Sequence, residues 1–153
     1  MTTSLDERRE SIAGRVSGKI ALVTGGASGI GRATAILLAE QGARVAVADL
    51  SEADGQEVIR AIESKGGEAF FSRMDVTSEA SVQNTVAQII EKWRCLDVLV
   101  NNAGVAGIQK PIHEVTAKEY DSVMDVNVRG VFHCTKHSIL AMREGGSIIN
   151  LSS

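Results

Sequence analysis

Short runs of β-branched and other apolar residues alternate along this chain with longer stretches in which apolar positions recur every three or four residues. The short runs are KIALVT (Lys19 to Thr24), RVAVAD (Arg44 to Asp49), EAFFSR (Glu68 to Arg73), LDVLVN (Leu96 to Asn101) and SIINL (Ser147 to Leu151). Their length and composition predict five strands. The first four begin about 25 residues apart, the span of one strand plus one crossover helix, which predicts a parallel α/β sheet with right-handed connections. Between them, Val82, Val86, Ile89, Ile90 and Trp93 make one apolar helical stripe behind a cap at Ser78. Ser51 with Asp54 opens the preceding helix and Gly66 closes it, while Gly42 closes the first. Thr116 with Glu119 forms a capping box for a longer segment reaching about Met142, so the last strand arrives late. Residues 1–14 lack periodicity and are expected to be a flexible extension ahead of one domain at 15–153.

The first strand runs straight into TGGASGIG, Thr24 to Gly31, which opens a helix. Glycines at 25, 29 and 31 allow a sharp turn, a close approach to a ligand and close packing of helix on sheet, and the free N–H groups of the helix start attract an anion such as a pyrophosphate. The second strand ends in Asp49, 18 residues after Gly31. A carboxylate there accepts both hydroxyls of an adenosine ribose and repels a 2′-phosphate. Neither Gly26, Ala27 and Ser28 nor Leu50 supplies the Arg or Lys that a 2′-phosphate needs, so NAD is preferred over NADP. Arg32-Ala33 after Gly31, in place of Lys-Ser/Thr, excludes a P-loop NTPase.

Composition narrows the partners. The 153 residues, 44% of them hydrophobic, suit one globular core. A net charge of −3 gives no basic field, and one Trp, one Tyr and three Phe are too few for base stacking, so nucleic acid is not an expected partner. No apolar run approaches the roughly 18 residues of a membrane span, and the start MTTSLDERRESIAGRV has no signal-type apolar core, so the expected location is cytoplasmic. Cys95 and Cys134 fit neither a disulfide framework nor a zinc site. His133 and His137, four apart, lack a third ligand, so no metal site is expected.

The fourth strand leads into NNAG, Asn101 to Gly104, at the same sheet edge as the glycine loop. Together with TGGASGIG, MDVT (Met74 to Thr77), NVRG (Asn127 to Gly130) and GSIINLSS (Gly146 to Ser153), it makes the chain resemble the short-chain dehydrogenase/reductase family from about residue 16 to its last residue. The resemblance implies a doubly wound Rossmann-type sheet in the order 3-2-1-4-5 and hydride transfer between NAD(H) and a small secondary alcohol or ketone. It implies that Gly25, Ser28, Gly29, Ile30 and Gly31 hold the pyrophosphate and flank the nicotinamide, and that Asp49 meets the adenosine ribose. Asp75 and the backbone of Val76 would meet the adenine, with Asn102, Ala103 and Gly104 along the adenosine side. Asn101 would tie the central strands. Asn127 matches the family's asparagine that holds a water in a proton relay, and Ser153 the serine that bonds the substrate oxygen; a register one residue earlier puts Ser152 there. Simple capping for Asp75, and a loop contact for Asn127, are the plainer readings of those two side chains.

The same resemblance implies a tyrosine roughly a dozen residues past the serine and a lysine one helical turn beyond it. Tyr120 has the wrong context to replace that tyrosine. The chain is therefore expected to be the amino-terminal portion of an enzyme, truncated after the fifth strand and inactive by itself, the full-length form being a homo-oligomer through the long helix. The alternative is a non-catalytic NAD-binding or interaction module.

Overall fold

A computed structural model describes residues 14–152, so most of the expected flexible extension, and Ser153, lie outside the described residues. The five runs form one parallel sheet in the order β3-β2-β1-β4-β5, with β1 at Ile20–Thr24, β2 at Arg44–Asp49, β3 at Glu68–Arg73, β4 at Val98–Asn101 and β5 at Ser147–Asn150. The expected order is therefore the observed one. Successive strands step outward from β1 through β2 to β3, and the chain then returns to the other side of β1. That reversal opens a crevice where the loops after β1 and β4 part, at the carboxyl ends of the strands.

Helices α1 (Gly29–Glu40) and α2 (Glu52–Glu63) cover one face, and α3 (Glu79–Trp93) and α5 (Gly130–Ala141) the other. The strand residues sort by alternation: Ile20, Leu22, Ala46 and Ala48 join α3 and α5, while Val23, Val45 and Val47 join α1 and α2. All five residues of β1 are buried, the signature of a strand covered on both sides. On α3 the predicted stripe is the inner face, with Val82, Val86, Ile89 and Trp93 buried, each large apolar side chain stabilising the fold by about 1.5–3 kcal/mol. Strand β4 starts two residues later than predicted because Leu96 and Asp97 serve as a junction. The Leu96 N–H donates to the Ala141 carbonyl, and the Asp97 carboxylate accepts the Ile20 N–H at 2.8 Å. Among the described residues strand β5 pairs with β4 alone, and Ile149 on it is 49% exposed.

Two local expectations change. The segment from Thr116 is not one α-helix but α4 (Ala117–Met124), a π turn (Asp125–Arg129) and α5, although its capping box is formed as predicted. Ser51 opens α2 at its N-cap position as expected, but its side chain caps no helix amide; its hydroxyl donates to the Asp54 carboxylate at 2.7 Å. Ser78 does cap α3, accepting the Ser81 N–H.

Helices α3 and α5 are joined through Glu79, whose Oε1 accepts from Lys136 Nζ at 2.7 Å and from His137 Nε2 at 2.8 Å. These bonds, Lys136 first, hold the Glu79 carboxyl at about 2 against an ordinary 4.5. A carboxyl depressed in the folded state contributes stability above its unfolded pKa and loses it as the pH falls through the folded value. Glu79→Gln is expected to lower the melting temperature at neutral pH, the gap to wild type closing as the pH is taken from 4.5 towards 2. A gap of constant size across that range, in thermal melts followed by circular dichroism, contradicts it.

Candidate functional site

Strand β1 is buried up to Thr24, and the chain then turns with Gly25 at φ +61°. Thr24 is 1% exposed, and its hydroxyl accepts the N–H groups of Asn102 at 3.1 Å and Ala103 at 3.0 Å. In return, Asn102 Nδ2 donates to the carbonyls of Thr24 and Gly25, both at 3.0 Å. The glycine loop and the NNAG turn are thereby clamped to each other by four hydrogen bonds across the β1/β4 junction. Gly31 lies under this clamp: a Cβ there would sit 2.1 Å from the Gly25 carbonyl oxygen and 2.4 Å from Asn102 Nδ2.

Gly29 faces the opposite situation. Its φ is +51°, and a Cβ would meet nothing within 4 Å, so the backbone at the start of α1 borders open space. Ser28 makes no side-chain cap and the first turn carries no acidic residue, which leaves the first-turn amides and the positive end of the helix to an external acceptor. Across this space stands Asp49. Its Oδ2 accepts the Ala27 N–H and its Oδ1 the Ser51 N–H, each at 3.1 Å, so the carboxylate is fixed while lone pairs on both oxygens stay free.

These groups enclose a cavity of about 400 Å³. Of the residues singled out in the sequence, Gly25, Ser28, Gly29, Ile30, Asp49, Asp75, Val76, Asn102, Ala103 and Gly104 all line it. Gly31 does not; it supports the loop from beneath. No lysine or arginine lines the cavity among the described residues. Asp75 Oδ1 accepts from the Thr77 N–H at 2.9 Å and the Thr77 hydroxyl at 2.7 Å, so the capping role is present, and Oδ2 receives no bond from a described residue. A cavity of about 600 Å³ between α3 and α5 is framed by Val86, Ile90 and Leu140 with Arg94 and Arg143, and no sequence motif or convergent set of backbone donors reaches it.

Asn127 sits in the π turn with both side-chain atoms engaged by one residue. Its Oδ1 accepts the Val105 N–H at 2.8 Å and its Nδ2 donates to the Val105 carbonyl at 2.9 Å. This is the loop contact that its residue type also allowed, and it fixes the chain just after NNAG. Asn101 donates from Nδ2 to Asn150 Oδ1 at 2.8 Å, tying β4 to β5. Ser152 is exposed at the carboxyl end of β5. His113 lies exposed on a short 3-10 turn (Ile112–Glu114) beyond the cavity. Cys134 is buried and its thiol is pushed up to about 12 by that burial, which removes it as a nucleophile. No group of three or more potential metal ligands occurs among the described residues.

Thr24, Met74, Val105 and Val126 line or support the site without having been given a role in the sequence, and Leu50, considered there only for the charge it does not supply, lines it too. For Thr24 a signal existed: a hydroxyl residue ending a wholly apolar strand directly before glycines needs a buried polar partner. The other four read as ordinary apolar positions.

The family model described as short chain dehydrogenase matches residues 19–153. The chain belongs to the short-chain dehydrogenase family. Among its relatives, the 3beta-hydroxysteroid dehydrogenase of Mediterraneibacter gnavus is 41% identical over 143 residues, 93% of this chain and 52% of that protein. The cyclopentanol dehydrogenase of a Comamonas species is 41% identical over 142 residues, 92% of this chain and 56% of that one. A crystal structure of NAD+-bound xylitol dehydrogenase superposes with a TM-score of 0.88 at 35% identity, covering 91% of this chain and 54% of the other. The chain thus spans about half the length of the short-chain dehydrogenases it matches. No helix among the described residues is long and apolar enough to cross a membrane.

Proposed function

We propose that this chain is the cofactor-binding half of an oxidoreductase that moves a hydride between NAD(H) and the carbinol carbon of a small secondary alcohol. The observation that carries the reading is the pairing of an uncapped, acid-free start of α1 at Gly29 with the fixed carboxylate of Asp49 across one cavity. An anion suits the first, and vicinal hydroxyls suit the second. A dinucleotide offers both at the distance of one ribose phosphate. The bound cofactor supplies the hydride acceptor or donor; the chain's residues supply placement.

In this reading Gly25, Ser28, Gly29 and Ile30 hold the pyrophosphate and border the nicotinamide, with Gly31 keeping the loop flat against Asn102. Asp49 accepts the adenosine ribose hydroxyls and disfavours a 2′-phosphate. Asp75 Oδ2 and the Val76 backbone face the adenine, and Ala103 and Gly104 the adenosine side. Ser153, or Ser152 in the earlier register, bonds the substrate oxygen, and Asn127 works in the proton relay while holding Val105. Tyr120 does not line the cavity and is given no part in proton transfer to the substrate oxygen. Relatives named for a hydroxysteroid and for cyclopentanol support a cyclic secondary alcohol as substrate. Phe132, Ile139 and Leu140, all exposed on α5, support assembly into a homo-oligomer.

Titration with NADH, followed by its fluorescence, tests the reading. Saturable binding at micromolar concentrations that ADP-ribose displaces is the expected result. A folded sample that leaves NADH fluorescence unchanged rejects it.

A further inference from the structure

The polypeptide that turns from β3 into α3, Met74 to Ser78, forms one wall of the cavity through Met74, Asp75 and Val76. Most of its polar contacts are local or come from the adjacent strand: the Met74 N–H donates to the Asp49 carbonyl, the Asp75 N–H to Ser81 Oγ, and the Thr77 N–H to Asp75 Oδ1. One contact comes from a distant element. His133, on α5 and 8% exposed, places Nδ1 at 3.0 Å from the Val76 carbonyl oxygen. A carbonyl only accepts, so the ring carries its proton on Nδ1 and donates. The same helix face makes room for Val76: at Gly130, three residues earlier, a Cβ would meet Val76 Cγ2 at 2.7 Å and Val76 Cβ at 2.9 Å. Val76 is thus seated on α5 by shape at Gly130 and by a hydrogen bond at His133.

We propose that His133 is a positioning residue for the nucleotide: by holding the Val76 carbonyl against α5 it sets where Asp75 and Val76 stand in the cavity wall, and so the affinity for the adenine half of the cofactor. This rests on the reading that Asp75 and Val76 face the adenine. The bond is buried, so water cannot replace the missing donor, and the freed carbonyl must shift the turn to find another. Asparagine is the conservative replacement, since its Nδ2 is bonded to Cγ as Nδ1 is in histidine and can donate along a similar line.

The test uses the protein as its gene encodes it and two probes that divide the cofactor. ADP-ribose carries the adenine half and reduced nicotinamide mononucleotide the other. His133→Leu is expected to weaken ADP-ribose binding, measured by calorimetry, by about tenfold, the consequence of losing one buried hydrogen bond's worth of ordering. Binding of the mononucleotide, followed by fluorescence, is expected to stay unchanged, and His133→Asn to recover most of the ADP-ribose affinity. Equal losses for both probes, no loss for either, or a His133→Asn variant that behaves like His133→Leu overturns the proposal. Asp75→Ala is measured beside them. A selective ADP-ribose loss in Asp75→Ala with none in His133→Leu fails the positioning role alone, whereas no selective loss in Asp75→Ala fails the adenine reading as well.

Discussion

Replacing Gly31 with alanine is expected to abolish measurable NADH binding and to lower the melting temperature by several degrees. The reason is steric and specific. The added Cβ lands 2.1 Å from the Gly25 carbonyl oxygen and 2.4 Å from Asn102 Nδ2, and neither atom is the free end of a flexible side chain. One is backbone; the other is already spent on the carbonyls of Thr24 and Gly25. Relief requires α1 to lift from the sheet or the clamp to break, an overpacking cost of about 1–3 kcal/mol. For a chain of this size that corresponds to roughly 2–4 °C for each kcal/mol. Binding suffers more than stability, because the displaced atoms are those that shape the loop. Gly29→Ala separates the two effects. Its Cβ meets no protein atom, so the fold bears only the left-handed backbone strain of about 1–2 kcal/mol. The open space it enters is the proposed pyrophosphate position, so NADH binding is lost there with a smaller change in melting temperature. If Gly31→Ala binds NADH as wild type does, the clamp is not what shapes the loop.

The contrast between these two glycines also marks how far the sequence could be read. The pattern of five apolar runs and their spacing lead to the sheet, because strands buried on both faces must be apolar throughout and crossover helices have a fixed minimum length. The place of Asp49 at the cavity was legible because a carboxylate that ends an apolar strand stands at the carboxyl edge of the sheet, beside the glycine loop. Glycine carries less information. Gly25, Gly29 and Gly31 look alike as letters, yet one turns the chain, one opens onto the cavity and one lies beneath a backbone clamp. What distinguishes them is the tertiary placement of the NNAG turn, with Asn102 contributed from 71 residues after Gly31.

The π turn at Asp125–Arg129 was not legible for a related reason. Thr116 and Glu119 announce a helix start, and nothing in DVNVR departs from helical composition. Insertion of a π turn exchanges α-helical hydrogen bonds for wider ones, and such turns are rare inside helices and frequent at functional sites. Here Asn127 bonds both backbone groups of Val105, a contact that no local pattern encodes. Ser51 shows a partial failure: it holds the N-cap position that the spacing predicts, but Asp54 takes its hydroxyl as a donor and no helix amide is capped by the side chain.

Asp49→Ala combined with Leu50→Arg is expected to shift the preference from NAD towards NADP by about a hundredfold, equivalent to roughly 2.7 kcal/mol. Two terms contribute. Removing the carboxylate removes a repulsion that, for two unit charges 4 Å apart near a protein surface, is about 4 kcal/mol before screening by salt. The arginine adds a bidentate partner for the 2′-phosphate, and Leu50 is a suitable place for it because it lines the cavity and is 60% exposed, so the guanidinium keeps its hydration until the phosphate arrives. There is an opposing cost. Asp49 also accepts the Ala27 and Ser51 amides, so its loss loosens the glycine loop and weakens both cofactors together. The ratio of the two dissociation constants is therefore the informative quantity, not either constant alone. Leu50→Arg with Asp49 retained is the control: the new guanidinium pairs with the carboxylate beside it, and the ratio moves little. An unchanged ratio in the double variant, with NADH still bound, would mean that Asp49 acts through the Ala27 and Ser51 amides only and that the ribose is read elsewhere.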